Sequence, residues 1–298
     1  MRQFKFKKID AFATAKSNGN PAGYIILNSM KDVTPEQMLQ IAKELKGFVN
    51  EVGYLCKTSD HQFDLKYYSA EREVDFCGHA TVAIMYDVLK SDEDLQRFNS
   101  LQIKTNRGIL NVENRIRKED AVFILSPEPF EKTKLPDINE LAANLKTHVD
   151  SINTNFPISI INAGLSTLIV PIKSLESILA LSPELEMLKE FCLKSEVDII
   201  EVFTSDVADK SNNYRTRVFA PTFGYIEDPA TGSGNSAFGY YLIKNKLWNG
   251  DTISIEQNGH ADCFNNVKLR RQTDDRGNER VVFGGGARIR IEGTYFLQ

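Results

Sequence analysis

Two short stretches carry the clearest chemistry in the sequence. Cys77-Gly78-His79 and Thr231-Gly232-Ser233 each head an apolar run, at an offset of 154 residues. A helix beginning there presents unpaired backbone N–H groups and the positive end of its dipole. Glycine at that place lets a ligand come close to the backbone. Two such ends facing each other would hold an anion, most simply a carboxylate. Titratable side chains gather beside them. His79 follows Gly78, Asp75 precedes Cys77 by two, and Glu227 and Asp228 precede Pro229-Ala230-Thr231. The plain alternative is two ordinary helix starts with capping or solvated carboxylates.

Other motifs do not survive their context. Gly232-Ser233-Gly234-Asn235-Ser236-Ala237 fits the G-x-G-x-x-A dinucleotide pattern. That pattern needs a strand running directly into its first glycine, and Asp228-Pro229 interrupts it here. Gly284-Gly285-Gly286 is followed by no helix and reads as a turn or strand bend. Ser233 lacks a nucleophile elbow. The four cysteines (Cys56, Cys77, Cys192, Cys263) lie 21, 115 and 71 residues apart, and no pair of the four histidines has a metal-site spacing. No metal site is expected, and dispersed thiols without a signal peptide fit a reduced cytoplasm.

The elements that must position these groups follow from length and periodicity. A chain of 298 residues allows two domains. Hydrophobic residues at 42% and charged residues at 26% describe a globular protein. A net charge of −4 argues against a nucleic-acid partner, and no apolar run is long enough to span a membrane. Four helices are expected. Two open on Thr34-Pro35-Glu36 and Ser182-Pro183-Glu184, each as N-cap, proline and acid. The other two, over 79–89 and 235–246, are apolar almost all round and so belong inside a domain. Strands are expected over 5–11, 24–27, 52–56, 63–68, 101–105, 109–113 and 121–125. In the second half they fall at 158–162, 166–170, 200–204, 216–220, 252–256, 267–271, 281–283 and 287–292, with a hairpin tip at Asp275-Arg276-Gly277-Asn278. Leu65–Ser69 resembles Thr216–Ala220, and Asn20-Pro21-Ala22-Gly23 and Asn162-Ala163-Gly164 each precede a strand. With the two proline-opened helices and the two glycine-headed ones, the order of elements repeats. The chain therefore reads as a duplicated α+β unit.

These residues resemble the phenazine-biosynthesis PhzF-like isomerases, of the diaminopimelate epimerase-like fold. The matching stretches are Ile9–Phe12 with Gly19–Ala22, Asn50-Glu51, Arg72–Thr81, Val218–Pro221 and Glu227–Gly234. The resemblance implies two pseudo-symmetric domains, each a curved mixed sheet or barrel around a central helix. Their expected extents are 1–122 plus 288–298, and 123–287. It implies a site in the interdomain cleft with Glu51 as general acid/base, a residue that its own surroundings do not single out. His79 and Asp228 would be its catalytic partners, and Gly78, Gly232, Ser233 and Asn20 would bind substrate.

A carboxylate that takes a proton from carbon and returns it elsewhere can isomerise a small carboxylate-bearing metabolite without metal, nucleotide or flavin. Racemases of this fold use two thiols. Cys77 stands at the first thiol position but Thr231 at its counterpart, so Cys77 reads as a small packed residue. Asn50 stands where the family has a hydroxyl residue, and only the start of a late Gln-Gly…Met-Gly-Arg pattern survives, in Gln257–Phe264. The alternatives are a non-catalytic ligand-binding protein on the same fold and an epimerase or racemase. A cytoplasmic homodimer is the expected form.

Overall fold

A computed structural model describes residues 2–298 and divides them into two compact units. The first runs to Leu125 and takes back Gly284–Gln298, and the second is Ser126–Phe283.

The first unit holds β1 (Arg2–Ala11), β2 (Asn20–Leu27), α1 (Pro35–Glu44), β3 (Glu51–Lys57), β4 (Gln62–Ser69), β5 (Glu73–Val74) and α2 (Gly78–Ser91). After them come β6 (Ser100–Thr105), β7 (Gly108–Asn114), α3 (Ile116–Glu119) and β8 (Val122–Leu125). The second unit holds β9 (Phe130–Lys132), α4 (Ile138–Asn144), β10 (Ser159–Asn162), β11 (Ser166–Pro171), α5 (Leu175–Leu179), α6 (Leu185–Lys194) and β12 (Ile199–Thr204). Next are β13 (Tyr214–Phe219), β14 (Glu227–Asp228), α7 (Gly232–Lys244), β15 (Ile253–Gln257), β16 (Asn265–Thr273) and β17 (Glu279–Gly285). The last strand, β18 (Ala287–Leu297), pairs along β1 in the first unit.

Both units carry the same ladder. In the first, β2 runs parallel to β3, β3 antiparallel to β4, and β4 antiparallel to β5 and parallel to β6. In the second, β11, β12, β13, β14 and β15 repeat those relations in that order. A parallel step needs a crossover, which α1 and α2 supply in one unit and α5–α6 and α7 in the other. Cross-strand rows can therefore be matched. Tyr24–Gly53–Tyr67–Val74 in the first unit corresponds to Ile169–Glu201–Val218–Asp228 in the second. This is the pseudo-symmetric α+β fold that the repeats announce.

The central helices are buried as their all-round apolar sequences require. In α2, Ala80 through Asp87 and Leu89 are buried, and in α7 all but the last two residues and Ser233 are. The sheet approaches α2 closely. A Cβ on Gly53 would lie 2.4 Å from Ile84 Cδ1. Asp87 is tolerated inside because Lys7 Nζ reaches it at 2.7 Å and the Tyr24 hydroxyl donates to it.

Some boundaries depart from expectation. Thr34 caps α1 with a full capping box, in which Gln37 N–H donates to Thr34 Oγ1 at 3.3 Å. Ser182 does not cap α6, which begins at Leu185 with Glu184 in the cap position. The chain before it is pinned by Arg217, whose Nη1 donates to the carbonyls of Ile178 and Leu181 at 3.0 and 2.7 Å. The helix expected from Asn235 begins at Gly232, because packing decides there over propensity. Asn20–Gly23 lies inside β2 and not before it. The short α3, α4 and α5 had not been expected. Among the described residues no helix is long and apolar enough to cross a membrane.

Candidate active site

The start of α2 brings three functional side chains together. Glu51 is the first residue of β3, and Cys77 and His79 flank Gly78 at the head of the helix. His79 Nε2 lies 3.1 Å from Glu51 Oε2, with side-chain exposures of 14% and 21%. Cys77 Sγ lies 3.5 Å from His79 Nδ1. The approach of the ring to the acid is an ion pair without a well-aimed N–H. Oε2 of Glu51 is buried and accepts no well-aligned hydrogen bond, with His79 Nε2 as its close polar neighbour. No side chain caps α2, so the N–H groups of its first turn keep their anion-binding character.

Electrostatics at this cluster can be assigned to causes. Burial, and after it the Glu51 carboxylate, pushes the Cys77 thiol up from its ordinary range. Cys77 is thus a neutral thiol near pH 7. Burial opposes charge on the His79 ring, but its Cys77 and Glu51 neighbours outweigh it, and its pKa stands well above the usual histidine value.

Glu51 is placed by its neighbours. Asn50 donates its backbone N–H to Pro21 O at 3.2 Å and its Nδ2 to Asn20 Oδ1 at 3.1 Å. Ala22 then pairs with Glu51 as β3 begins. Asn20 is 1% exposed, so it braces the turn into the acid.

The start of α7 is built differently. A Cβ on Gly232 would lie 2.5 Å from the Phe283 ring, so only glycine fits. Thr231 Oγ1 donates to Asp228 Oδ2 at 2.8 Å, and Thr231 N–H donates to Gln257 Oε1 at 3.0 Å. Gln257 Nε2 donates to Asp228 O at 3.0 Å, and Asn235 Nδ2 to Gln257 Oε1 at 2.6 Å. Ser233 is half-buried within this first turn, and no side chain caps the helix.

The structure therefore brings Glu51, His79 and Gly78 together in the first unit, with Asn20 one step behind. Asp228, Gly232 and Ser233 come together in the second. Sequence reasoning missed that Cys77 joins the Glu51–His79 pair; the Cys-x-His spacing at a helix start was the available signal. It also missed Glu201, which is fully buried with neither carboxyl oxygen hydrogen-bonded. Burial, and secondarily Asp228, raises its pKa well above the carboxylate range. A lone acid inside Ile199–Phe203 was the signal for that residue.

The sheet ladders and helix starts can now be set beside known proteins. Residues 9–293 match the PhzC-PhzF family, described as phenazine biosynthesis-like protein. The chain belongs to that family. An uncharacterized isomerase of Clostridium acetobutylicum is 29% identical over 252 residues, covering 83% of this chain and 82% of its own. The PhzF-family phenazine biosynthesis protein of Bacillus anthracis has the same fold, with a TM-score of 0.85 over 100% of both chains at 24% identity. A hydroxyproline epimerase of Agrobacterium vitis shares the fold more distantly, with a TM-score of 0.59 over 99% of this chain and 91% of that one at 13% identity. The PhzC-PhzF assignment and the named relatives place the chain among isomerase-like proteins with an epimerase-like fold.

Proposed function

We propose that the protein isomerises a small carboxylate-bearing metabolite by proton transfer, with Glu51 as the single acid/base and no cofactor. The observation that carries this reading is the buried Oε2 of Glu51, which accepts no well-aligned hydrogen bond and lies 3.1 Å from His79 Nε2 at the start of α2. Glu51 takes a proton from a carbon made acidic by conjugation with the substrate carboxylate, then returns it at another carbon of the same system. The His79 ring, with Nε2 3.1 Å from Glu51 Oε2, orients the carboxylate and puts a polar ring nitrogen near the reacting atoms. Backbone N–H groups at Gly78 hold the substrate carboxylate, and pre-aimed dipoles of this kind cost no reorganisation as charge develops. Asn20 contributes a polar contact beside Glu51. The second unit offers Asp228 as a further catalytic group, and Gly232 and Ser233 as further binding groups.

Two-thiol racemisation is the competing chemistry. Cys77 could serve as one thiol, but its counterpart Thr231 is a hydroxyl committed to Asp228 and Gln257. One acid is the simpler account.

The test is deuterium uptake from heavy water into a panel of unsaturated ring acids and amino acids, in the presence of a chelator. Uptake into at least one acid by the wild type, and its loss in Glu51→Gln by about 10²–10⁴-fold, is the expected result. Wild-type uptake that survives the substitution removes Glu51 as the base. Absence of uptake across the panel, with a panel member bound, favours the ligand-binding reading. The same proposal takes the working form to be a cytoplasmic homodimer. Ile289 and Ile291 of β18, each 45% exposed, are the apolar surface that a second copy would cover. Sedimentation of Ile291→Lys against the wild type tests that part.

A further inference from the structure

The same three side chains invite a ligand that the isomerase reading does not use. We propose that Glu51, Cys77 and His79 form a Zn²⁺ site, in which the metal is a reversible inhibitor and not a cofactor. The site stands on geometry alone. Only the inhibition rests on Glu51 being the base.

One carboxylate oxygen, one thiol sulfur and one imidazole nitrogen can be chosen so that all three lie within 4.8 Å of one another. Oxygen, nitrogen and sulfur together are a donor set that Zn²⁺ accepts, whereas hard cations such as Mg²⁺ and Ca²⁺ favour oxygen alone. Tetrahedral Zn²⁺ with ordinary bond lengths sets its nitrogen and sulfur ligands about 3.5 Å apart, and its nitrogen and oxygen ligands about 3.3 Å apart. In the protein, His79 Nε2 lies 3.8 Å from Cys77 Sγ and 3.1 Å from Glu51 Oε2. Movements of a few tenths of an ångström fit those two edges to a metal, and the third, between Cys77 Sγ and the carboxylate oxygen, starts within 4.8 Å and closes toward about 3.5 Å.

A second observation points the same way. Glu51 Oε2 is buried and accepts no well-aligned hydrogen bond, so a cation there would give it a partner in place of its loose approach to the His79 ring. The positive end of α2 opposes a lone cation, but the thiolate and carboxylate carry two negative charges to balance Zn²⁺. Three protein ligands leave the fourth position to water, as in open zinc sites. On binding, the Cys77 S–H bond breaks, a Zn–S bond forms and the proton passes to buffer, as does any proton on the His79 nitrogen that ligates. There is no change of oxidation state. With its oxygen on the metal, Glu51 can no longer accept a proton from substrate.

Full-length reduced protein, stripped with chelator and dialysed, is titrated with Co²⁺ as a spectroscopic stand-in and then with Zn²⁺. One equivalent of Co²⁺ is expected to give a thiolate-to-cobalt charge-transfer band together with the strong visible bands of tetrahedral Co²⁺, and Zn²⁺ should bleach both. Cys77→Ser is expected to lose the charge-transfer band. Cys77→Ser, His79→Gln and Glu51→Gln should each bind Zn²⁺ at least tenfold more weakly, with circular dichroism confirming that each remains folded. Cys263→Ser is expected to keep the full spectrum, since Cys263 is exposed and outside the cluster. A wild-type spectrum without charge transfer, a band that follows Cys263, or unchanged Zn²⁺ affinity in Cys77→Ser together with His79→Gln each overturns the site. These readings use no substrate, and the deuterium assay is run under chelator, so failure of one proposal is separable from failure of the other. Inhibition of uptake by Zn²⁺ in the wild type, restored by chelator, completes the expected result, and unimpaired uptake at saturating Zn²⁺ overturns the inhibition.

Discussion

At the start of α2 the acid is Glu51, the first residue of β3, and its Oε2 has no donor. At the start of α7 the matching strand position is Ile199, and the acid stands two residues further on, at Glu201, where the first unit has Gly53. The polar partner also moves. Asp228 closes its row in the second unit, whereas Val74 closes the first. Around α2 the polar atoms form a loose, largely buried trio; around α7 they interlock through Thr231, Gln257 and Asn235. The duplicated backbone thus supplies two helix ends of the same make. The two sites differ in which strand position carries the carboxylate, in how deeply it is buried and in how far the polar groups around the helix start are tied to one another.

The largest effect that can break this contrast compares the two glutamates directly. Glu51→Gln is expected to lower solvent exchange by about 10²–10⁴-fold, and Glu201→Gln by less than about tenfold. Steady-state uptake measured on both variants decides it, and equal losses would erase the distinction drawn between the two acids. Cys77→Ser sharpens the same comparison. A fall as deep as that of Glu51→Gln would move the base from carboxylate to thiol.

The next effects are on stability. Gly232→Ala forces a methyl against the Phe283 ring, and overpacking of this kind costs about 1–3 kcal/mol. Thr231→Val keeps the shape but strips Asp228 of a donor and Gln257 of an acceptor, at about 1–3 kcal/mol. At the less committed helix start, Cys77→Val is expected to cost less than Thr231→Val. Urea denaturation of the three variants ranks them, and a larger loss at Cys77 contradicts the picture of an interlocked second site.

Much of this was legible in the sequence because it is periodic or steric. Apolar runs without a polar face marked α2 and α7, and the repeat of LKYYS-like and TRVFA-like strands fell on rows that the ladders do match. Glycine at the helix heads was readable as backbone chemistry. Glu51 was not, since a polar residue between a helix and a strand looks like a solvated turn until the Asn20–Asn50 brace and the His79 ring are seen around it. Only resemblance to a family supplied it. Cys77 is buried as the sequence suggests, but its place beside Glu51 and His79 is not legible there, because sequence spacing says nothing about where a residue from another strand arrives. The late start assigned to α7 reflects a similar limit: Gly232 and Gly234 are poor helix formers, kept by the contacts they allow.

Glu201 gives the most discriminating effect. Its carboxyl is fully buried; a Cβ on Gly234 would lie 2.7 Å from its Oε2. Val218 and Ile169 pair beside it, and the charge coupled to it is that of Asp228. Its pKa is raised in the folded protein, so the native state holds a proton that the unfolded chain releases above the ordinary glutamate value of about 4.3. The stability this group confers is therefore fully present below that value and is lost as pH rises toward the folded pKa. The slope approaches about 1.4 kcal/mol per pH unit while the native state alone remains protonated. Glu201→Gln cannot titrate and lacks that slope. Whatever the amide costs at low pH, the variant should gain on the wild type steadily from about pH 5 upward. Urea unfolding of both proteins at a series of pH values measures the difference. A difference that stays flat would mean that Glu201 ionises as an ordinary carboxylate and that its burial beside α7 does not hold it neutral.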